Sequence, residues 1–216
     1  MKFTKFSLLF ALLTVICMGF AGCSETEEPS EYDNWPARNL AWLQNVADSA
    51  AANLTDEIHR EAGKWLILKQ YSLVPDKGTP TITPDNLKDY VYIKILSSGN
   101  STSGSPLYTD TVKVDYRGYL MPTDSYPEGL VFDQSYGGDF DEQTNVPSIF
   151  PVKGVVSGWQ TALQHMQVGD RWVVYIPQEL AYGTEAKSGI PAYSTLRFDM
   201  HLSAFRHFGE KDWTTK

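Results

Sequence analysis

The chain has 216 residues, 42% hydrophobic and 20% charged, enough apolar material for one domain with a full core and an N-terminal extension. Its 26 acidic residues outweigh 18 basic ones, for a formal net charge of -8. With no run of basic residues, that balance excludes nucleic acid as the expected partner.

Lys2 and Lys5 precede an apolar run over residues 6–20, followed by the small residues Ala21 and Gly22. This is the pattern of a signal peptide over 1–22, too short to span a membrane comfortably. Phe20, Ala21, Gly22 and Cys23 together resemble a bacterial lipobox, with Phe20 where Leu is usual. Cys23 is therefore expected to carry the lipid that holds the protein to the cell envelope; a soluble secreted protein cut near Gly22 is the alternative. Cleavage there also removes Cys17 and leaves Cys23 as the one cysteine, which excludes an internal disulfide and thiol-based metal or catalytic chemistry. Residues 23–34 are expected to form an acidic, solvated tether.

Asp33 and Asn34 before Trp35 and Pro36 predict a helix start with a side-chain cap. Leu40, Leu43, Val46, Ala50, Leu54 and Ile58 recur at spacings of three or four, one apolar face of a helix or helix pair, with Gly63 as its stop. Residues 65–68 read as a strand. The extension over 35–75 is expected to pack against the main domain or to act as a dimerising arm. A polar, Pro-containing connection over 75–85 marks a soft boundary before a main domain over 86–206. Strands are expected over 90–96 and 111–120, with a Gly/Ser-rich loop over 97–105 between them. Val112, Val114 and Tyr116 should face inward, and Lys113, Asp115 and Arg117 outward. Polar excursions over 121–129 and 136–146 flank an apolar piece, residues 130–133. The acids of the second excursion do not fit the spacing of an EF-hand loop, so no metal is expected there and the loop reads as solvated.

The stretch over 150–183 organises the rest. Val155 and Val156 lead through Ser157 and Gly158 to Trp159, and a short amphipathic run follows over 160–166. Gly169 and Asp170 turn the chain into an apolar strand over 172–176, before a turn that carries Tyr182. A short helix entered at a Trp, then a strand and a Tyr-bearing turn, points to a pocket floor with a phenol at its rim. In the last strand Leu196, Phe198, Met200 and Leu202 alternate inward while Thr195, Arg197, Asp199 and His201 face out. Strands around one short helix, without a βαβ rhythm, give an α+β domain with an antiparallel sheet. The four histidines show no metal spacing, His165 reads as a surface residue of the short helix, and no serine sits in a nucleophile elbow.

Over residues 111–205 the chain resembles the FKBP-type peptidyl-prolyl isomerases. The matching pieces, in order, are Val114 through Gly118 (VDYRG), Val131 through Ser135 (VFDQS), and Phe150, Pro151 and Val152 running into Val155 through Trp159. Ala162 through Met166, Gly169 with Asp170, Ile176 with Pro177, Leu180 through Gly183, Ile190 with Pro191, and Leu196 through Asp199 complete the order. The resemblance implies a twisted antiparallel sheet wrapped around one short helix. It implies Trp159 as an indole floor, Tyr116 as an aromatic wall, and Phe132 and Asp133 as the pair beside the pocket, the Asp an acceptor. By the same resemblance Phe150, Val155, Ile190 and Phe198 bind substrate, the Val156 backbone N–H holds a substrate carbonyl, and the Tyr182 hydroxyl donates to a second one. Catalysis would rest on Tyr182, Asp133, Val156 and Trp159, without cofactor or metal. The implied partners are proline-containing polypeptides outside the cytoplasm, and the membrane through Cys23. Ser148 stands where many members have a further wall aromatic, the loops flanking Phe132 are long, and residues 184–189 match nothing in the family. A non-catalytic chaperone or peptide-binding lipoprotein that kept the fold is the second reading.

Overall fold

Pro36 sits in the first helical turn, where its missing N–H breaks no helical bond, and opens helix α1 (Trp35–Ala52). The computed structural model describes residues 30–99 and 102–215; the expected signal peptide, Cys23 and most of the tether lie outside the described residues. The expected side-chain cap is not made. Asn34 instead takes a left-handed backbone, φ 51°, and its side chain bonds no helical N–H. The buried face of α1 runs through Trp35, Asn39, Leu43, Val46, Ala47 and Ala50, so Leu40 lies outside it and is 60% exposed. Ile58, beyond the helix end, is exposed too. Gly63 is not the helix stop. It turns the chain into the first strand at φ 84°, its N–H bonded to the Ile95 carbonyl.

The strands are β1 (Trp65–Lys69), β2 (Tyr90–Ser97), β3 (Thr111–Tyr119), β4 (Val131–Gln134), β5 (Ser148–Pro151), β6 (Arg171–Ile176) and β7 (Leu196–Arg206). All pair antiparallel in the order β1-β2-β6-β7-β3-β4, with β5 also on β3. The second helix, α2 (Ser157–Leu163), is seated by Gly158: a Cβ there would lie 2.3 Å from Ile176 Cγ2 on β6. The architecture is the expected α+β antiparallel sheet. β5, short and ended by Pro151, carries too little alternation to be read from sequence.

The sheet is covered on both sides near β1 and β2. Trp65, Ile67, Tyr90 and Tyr92 pack with Leu43, Val46, Ala47 and Ala50 of α1. Leu66, Leu68, Val91, Ile93 and Ile95 join the larger core with Trp159, Ala162 and Leu163 of α2. Two-sided burial explains why residues 65–68 are an unbroken apolar run rather than an alternating one. Glu31–Lys216 form one compact unit. The 75–85 connection therefore runs within that unit, and residues 35–75 give it a helical layer and a strand. The tether ends early, since Glu31 accepts a 2.6 Å bond from Ser125 Oγ.

Three residues expected on the outer face are buried: Asp115 and His201 at 2% exposure each, and Thr195 under α1. The 136–146 excursion folds back over the sheet, placing the Phe140 ring 4.9 Å from His201 and under Arg171 at 4.2 Å. Beneath it Asp115 Oδ2 accepts from Ser203 Oγ at 2.8 Å and lies 3.2 Å from His201 Nδ1. The excursion is thus partly a cover rather than a solvated loop. His165 follows α2 rather than lying on it, and its Nδ1 is 2.7 Å from Glu57 Oε2.

Candidate active site

The inward residues of β3, β4, β5 and β7 converge with the start of α2 on a cavity of about 280 Å³. Tyr116, Phe132, Asp133, Phe150, Gly154, Val155, Val156, Trp159, Tyr182 and Phe198 line it. Nine of these are site residues expected from sequence. Gly154 is the addition; a lone glycine ahead of two valines carries no signal of its own.

Trp159 is 4% exposed and is boxed by three edge-to-face rings: Phe198 at 5.1 Å, Tyr116 at 5.2 Å and Phe150 at 5.6 Å between centroids. Phe132 stands edge-on to Phe198 at 5.5 Å. Such geometry sets positive ring edges against negative faces and fixes the orientation of each ring. The box is possible because Gly118, between the two strands that carry these phenylalanines, has no side chain. A Cβ there would lie 2.6 Å from Phe132 Cζ and 2.7 Å from Phe198 Cε1.

Polar groups enter at defined points. The Tyr116 hydroxyl donates to Asp133 Oδ2 at 2.8 Å, and Asp133 Oδ1 accepts the Gln134 N–H at 2.9 Å. Burial, and then the carboxylate of Asp133, push the Tyr116 phenol well above its ordinary pKa of 10.0. It remains a donor throughout the physiological range. Burial raises Tyr92 in the same sense. An unfolded tyrosine ionises near pH 10 while these phenols hold their protons. Their contribution to stability is therefore complete below pH 10 and is lost as the pH climbs toward their folded values. Unfolding free energies from urea denaturation should be lower at pH 11 than at pH 8 by about 1 kcal/mol for each such phenol; equal free energies would overturn this reading of their burial.

Val156 precedes α2 in an extended conformation, φ -62° and ψ 153°, and its carbonyl accepts the Gln160 N–H at 3.0 Å. Its own N–H bonds no acceptor among the described residues. Gln160 Nε2 holds the Val155 carbonyl at 2.6 Å, and Ser157 Oγ holds the Leu180 carbonyl at 3.2 Å, which ties the start of α2 to the turn bearing Tyr182. The Tyr182 side chain is at the rim, 37% exposed, and its hydroxyl likewise bonds no group among the described residues.

Ile190 does not join the lining. It is 5% exposed within the main core, because its loop closes on itself through paired Lys187 and Ile190 backbone bonds and turns the side chain inward. Ser148 sits on β5 opposite Val114, outside the lining. Among the described residues the lining holds aromatic rings, valines, a glycine, one carboxylate and two phenols, with no serine, cysteine, lysine or histidine as a nucleophile or base.

Residues 103–203 match the family model described as FKBP-type peptidyl-prolyl cis-trans isomerase. The FKBP-type 22 kDa peptidyl-prolyl cis-trans isomerase of Escherichia coli (strain K12) is 44% identical over 98 residues, 45% of this chain and 42% of that protein. The peptidyl-prolyl cis-trans isomerase Mip of Coxiella burnetii is 35% identical over 118 residues, 55% of this chain and 44% of that one. The outer membrane protein MIP of Legionella longbeachae is 38% identical over 110 residues, 50% and 41% respectively. The matches span less than half the length of each of these relatives. A crystal structure of a peptidyl-prolyl cis-trans isomerase from Pseudomonas syringae shares the fold, with a TM-score of 0.50 at 23% identity over 84% of this chain and 99% of that one. Residues 103–203 thus carry the sequence pattern of the FKBP-type peptidyl-prolyl cis-trans isomerases, on a fold that the Pseudomonas syringae structure shares.

Proposed function

We propose that the protein is a peptidyl-prolyl cis-trans isomerase acting on X–Pro bonds of polypeptides outside the cytoplasm. The observation that carries this reading is a ring-walled cavity with two uncommitted donors among its lining residues, the Val156 N–H and the Tyr182 hydroxyl. Amide resonance imposes a barrier of about 18–20 kcal/mol, and X–Pro bonds exchange over roughly tens to hundreds of seconds. No covalent step is needed to lower it. At the twisted transition state resonance is lost and the amide is less polar, so an apolar enclosure favours it over the planar, hydrated ground state. Trp159 forms the floor, Phe198, Phe132 and Phe150 the walls. The two donors hold flanking carbonyls so that the chain stays turned. Asp133 acts beside the pocket, its place fixed by the Tyr116 hydroxyl. A rate gain of about 10⁶ requires about 8 kcal/mol of such differential stabilisation.

A protease-coupled cis/trans assay on a short X-Pro-Phe peptide tests the activity; exchange at the uncatalysed rate would defeat it. Tyr182→Phe should lower kcat/KM about three- to tenfold, the worth of one hydrogen bond. Stability should move by less than about 0.5 kcal/mol, because the hydroxyl bonds nothing in the free protein. A larger stability loss would mean that the phenol holds the fold rather than the substrate.

The same proposal places the protein on a lipid anchor at Cys23, with no cofactor. The lipobox-like segment before Cys23 supports this, and one relative bears the name outer membrane protein. Labelling with a radioactive fatty acid, lost in Cys23→Ser, is the expected result; labelling that survives the substitution would place the lipid elsewhere.

A further inference from the structure

Helix α1 reaches the loop that leads from Tyr182, at the rim of the candidate site, to β7. Trp35 Nε1 donates to Ser194 Oγ at 2.9 Å, and Asn39 Oδ1 accepts the Thr195 N–H at 2.9 Å. All four residues are at most 4% exposed. Asn39 Nδ2 donates back to the Trp35 carbonyl at 2.9 Å, which fixes the amide so that its oxygen faces Thr195. Ser194 Oγ in turn donates to the Pro191 carbonyl at 2.6 Å. The chain segment so held ends the loop that begins at Tyr182. Head and tail of that loop meet where the Tyr193 N–H donates to the Gly183 carbonyl at 2.9 Å. Tyr193, between the clamp and that bond, has φ 64°, a left-handed backbone that a tyrosine adopts only when its surroundings impose it. Phe198, which walls the cavity, follows Thr195 by three residues on β7.

We infer that α1 is part of the active-site framework, with Trp35 and Asn39 as positioning residues that set the Tyr182 hydroxyl and the Phe198 wall through the 183–195 loop. This rests on the isomerase reading of the site. The hydrogen bonds are specific in a way that packing alone is not. An aliphatic residue at position 39 would bury α1 equally well but leave the Thr195 N–H without a partner. The N-terminal segment thus acts on substrate turnover as well as on attachment, and a domain trimmed to the 103–203 match would lack the clamp.

The test uses the full chain after signal removal, with Trp35→Phe, which keeps the ring and removes the donor, and Asn39→Ala. Two readouts are needed. Hydrogen exchange followed by mass spectrometry should show faster exchange in peptides covering 183–195, at least tenfold in each variant, with β2 unchanged. In the proline-peptide assay kcat/KM should fall at least fivefold. In a Tyr182→Phe background the same substitutions should lower it by clearly less, because the hydroxyl they position is gone. A purely structural role predicts equal fractional losses in both backgrounds. Unchanged exchange over 183–195, or an unchanged kcat/KM in folded variants, overturns the inference while leaving the isomerase reading intact. An inactive parent protein defeats that reading instead, and the positioning role with it, whatever the exchange data show of the clamp.

Discussion

Replacing Trp159 with alanine is expected to destabilise the protein by about 3–5 kcal/mol and to bring proline-peptide exchange close to the uncatalysed rate. The indole is 4% exposed and meets three rings edge-to-face, on β3, β5 and β7. It joins α2 to the side of the sheet that holds the cavity. Its removal leaves a void that the helix closes only with difficulty, because Gly158 already packs against Ile176 with no room for a Cβ. Tyr116, Phe150 and Phe198 each lose the face or edge that orients them, so floor and walls fail together. Trp159→Phe keeps a flat apolar floor of smaller area and should retain both fold and part of the activity. Urea denaturation gives the stability change and the coupled assay the turnover. A folded Trp159→Ala protein with parental kcat/KM would remove the cavity from the mechanism altogether.

Much of the site was legible because strand alternation and motif order constrain the same residues. Tyr116 and Phe198 lie on the inward parity of their strands, and Trp159 opens the only short amphipathic run between strands. What was not legible depends on chain segments far apart in sequence. Asp115 and His201 sit on the outward parity and are polar, so sequence assigns them to solvent. They are buried because a loop over 136–146 returns across that face. Ile190 was expected at the pocket wall, but paired Lys187 and Ile190 backbone bonds turn it into the core, and the end of the same loop is bonded to α1, whose Trp35 lies 159 positions from its partner Ser194. The periodicity puts Leu40 on the apolar face of α1 and leaves its neighbour Asn39 off it, whereas the structure buries Asn39 and exposes Leu40. The function of Asn39 appears only when the Thr195 N–H is seen to need an acceptor. Polarity patterns report how much of an element is covered, and not by what.

Gly118→Ala should lower kcat/KM at least tenfold while costing about 1–3 kcal/mol in stability, a larger effect on turnover than its single methyl implies. The glycine lies on β3 with Asp133 of β4 opposite on one side and Phe198 of β7 on the other. Its backbone is held by both neighbours and cannot retreat. The added Cβ would stand 2.6 Å from Phe132 Cζ and 2.7 Å from Phe198 Cε1, closer than carbon atoms can approach without displacement. Both rings line the cavity, so the strain is relieved by moving them into it. The Phe132–Phe198 edge contact and the Phe198–Trp159 contact would be disturbed together. The expected signature is a raised KM with a reduced kcat, since a narrowed slot disfavours both ground-state binding and the twisted amide. Gly137→Ala is the control, because a Cβ there meets nothing within 4 Å and its φ is not in the left-handed region. It should leave both quantities unchanged. A Gly118→Ala protein with parental kcat/KM would show that prolyl binding does not depend on where these two rings stand, and would return Phe132 and Phe198 to the role of ordinary core side chains.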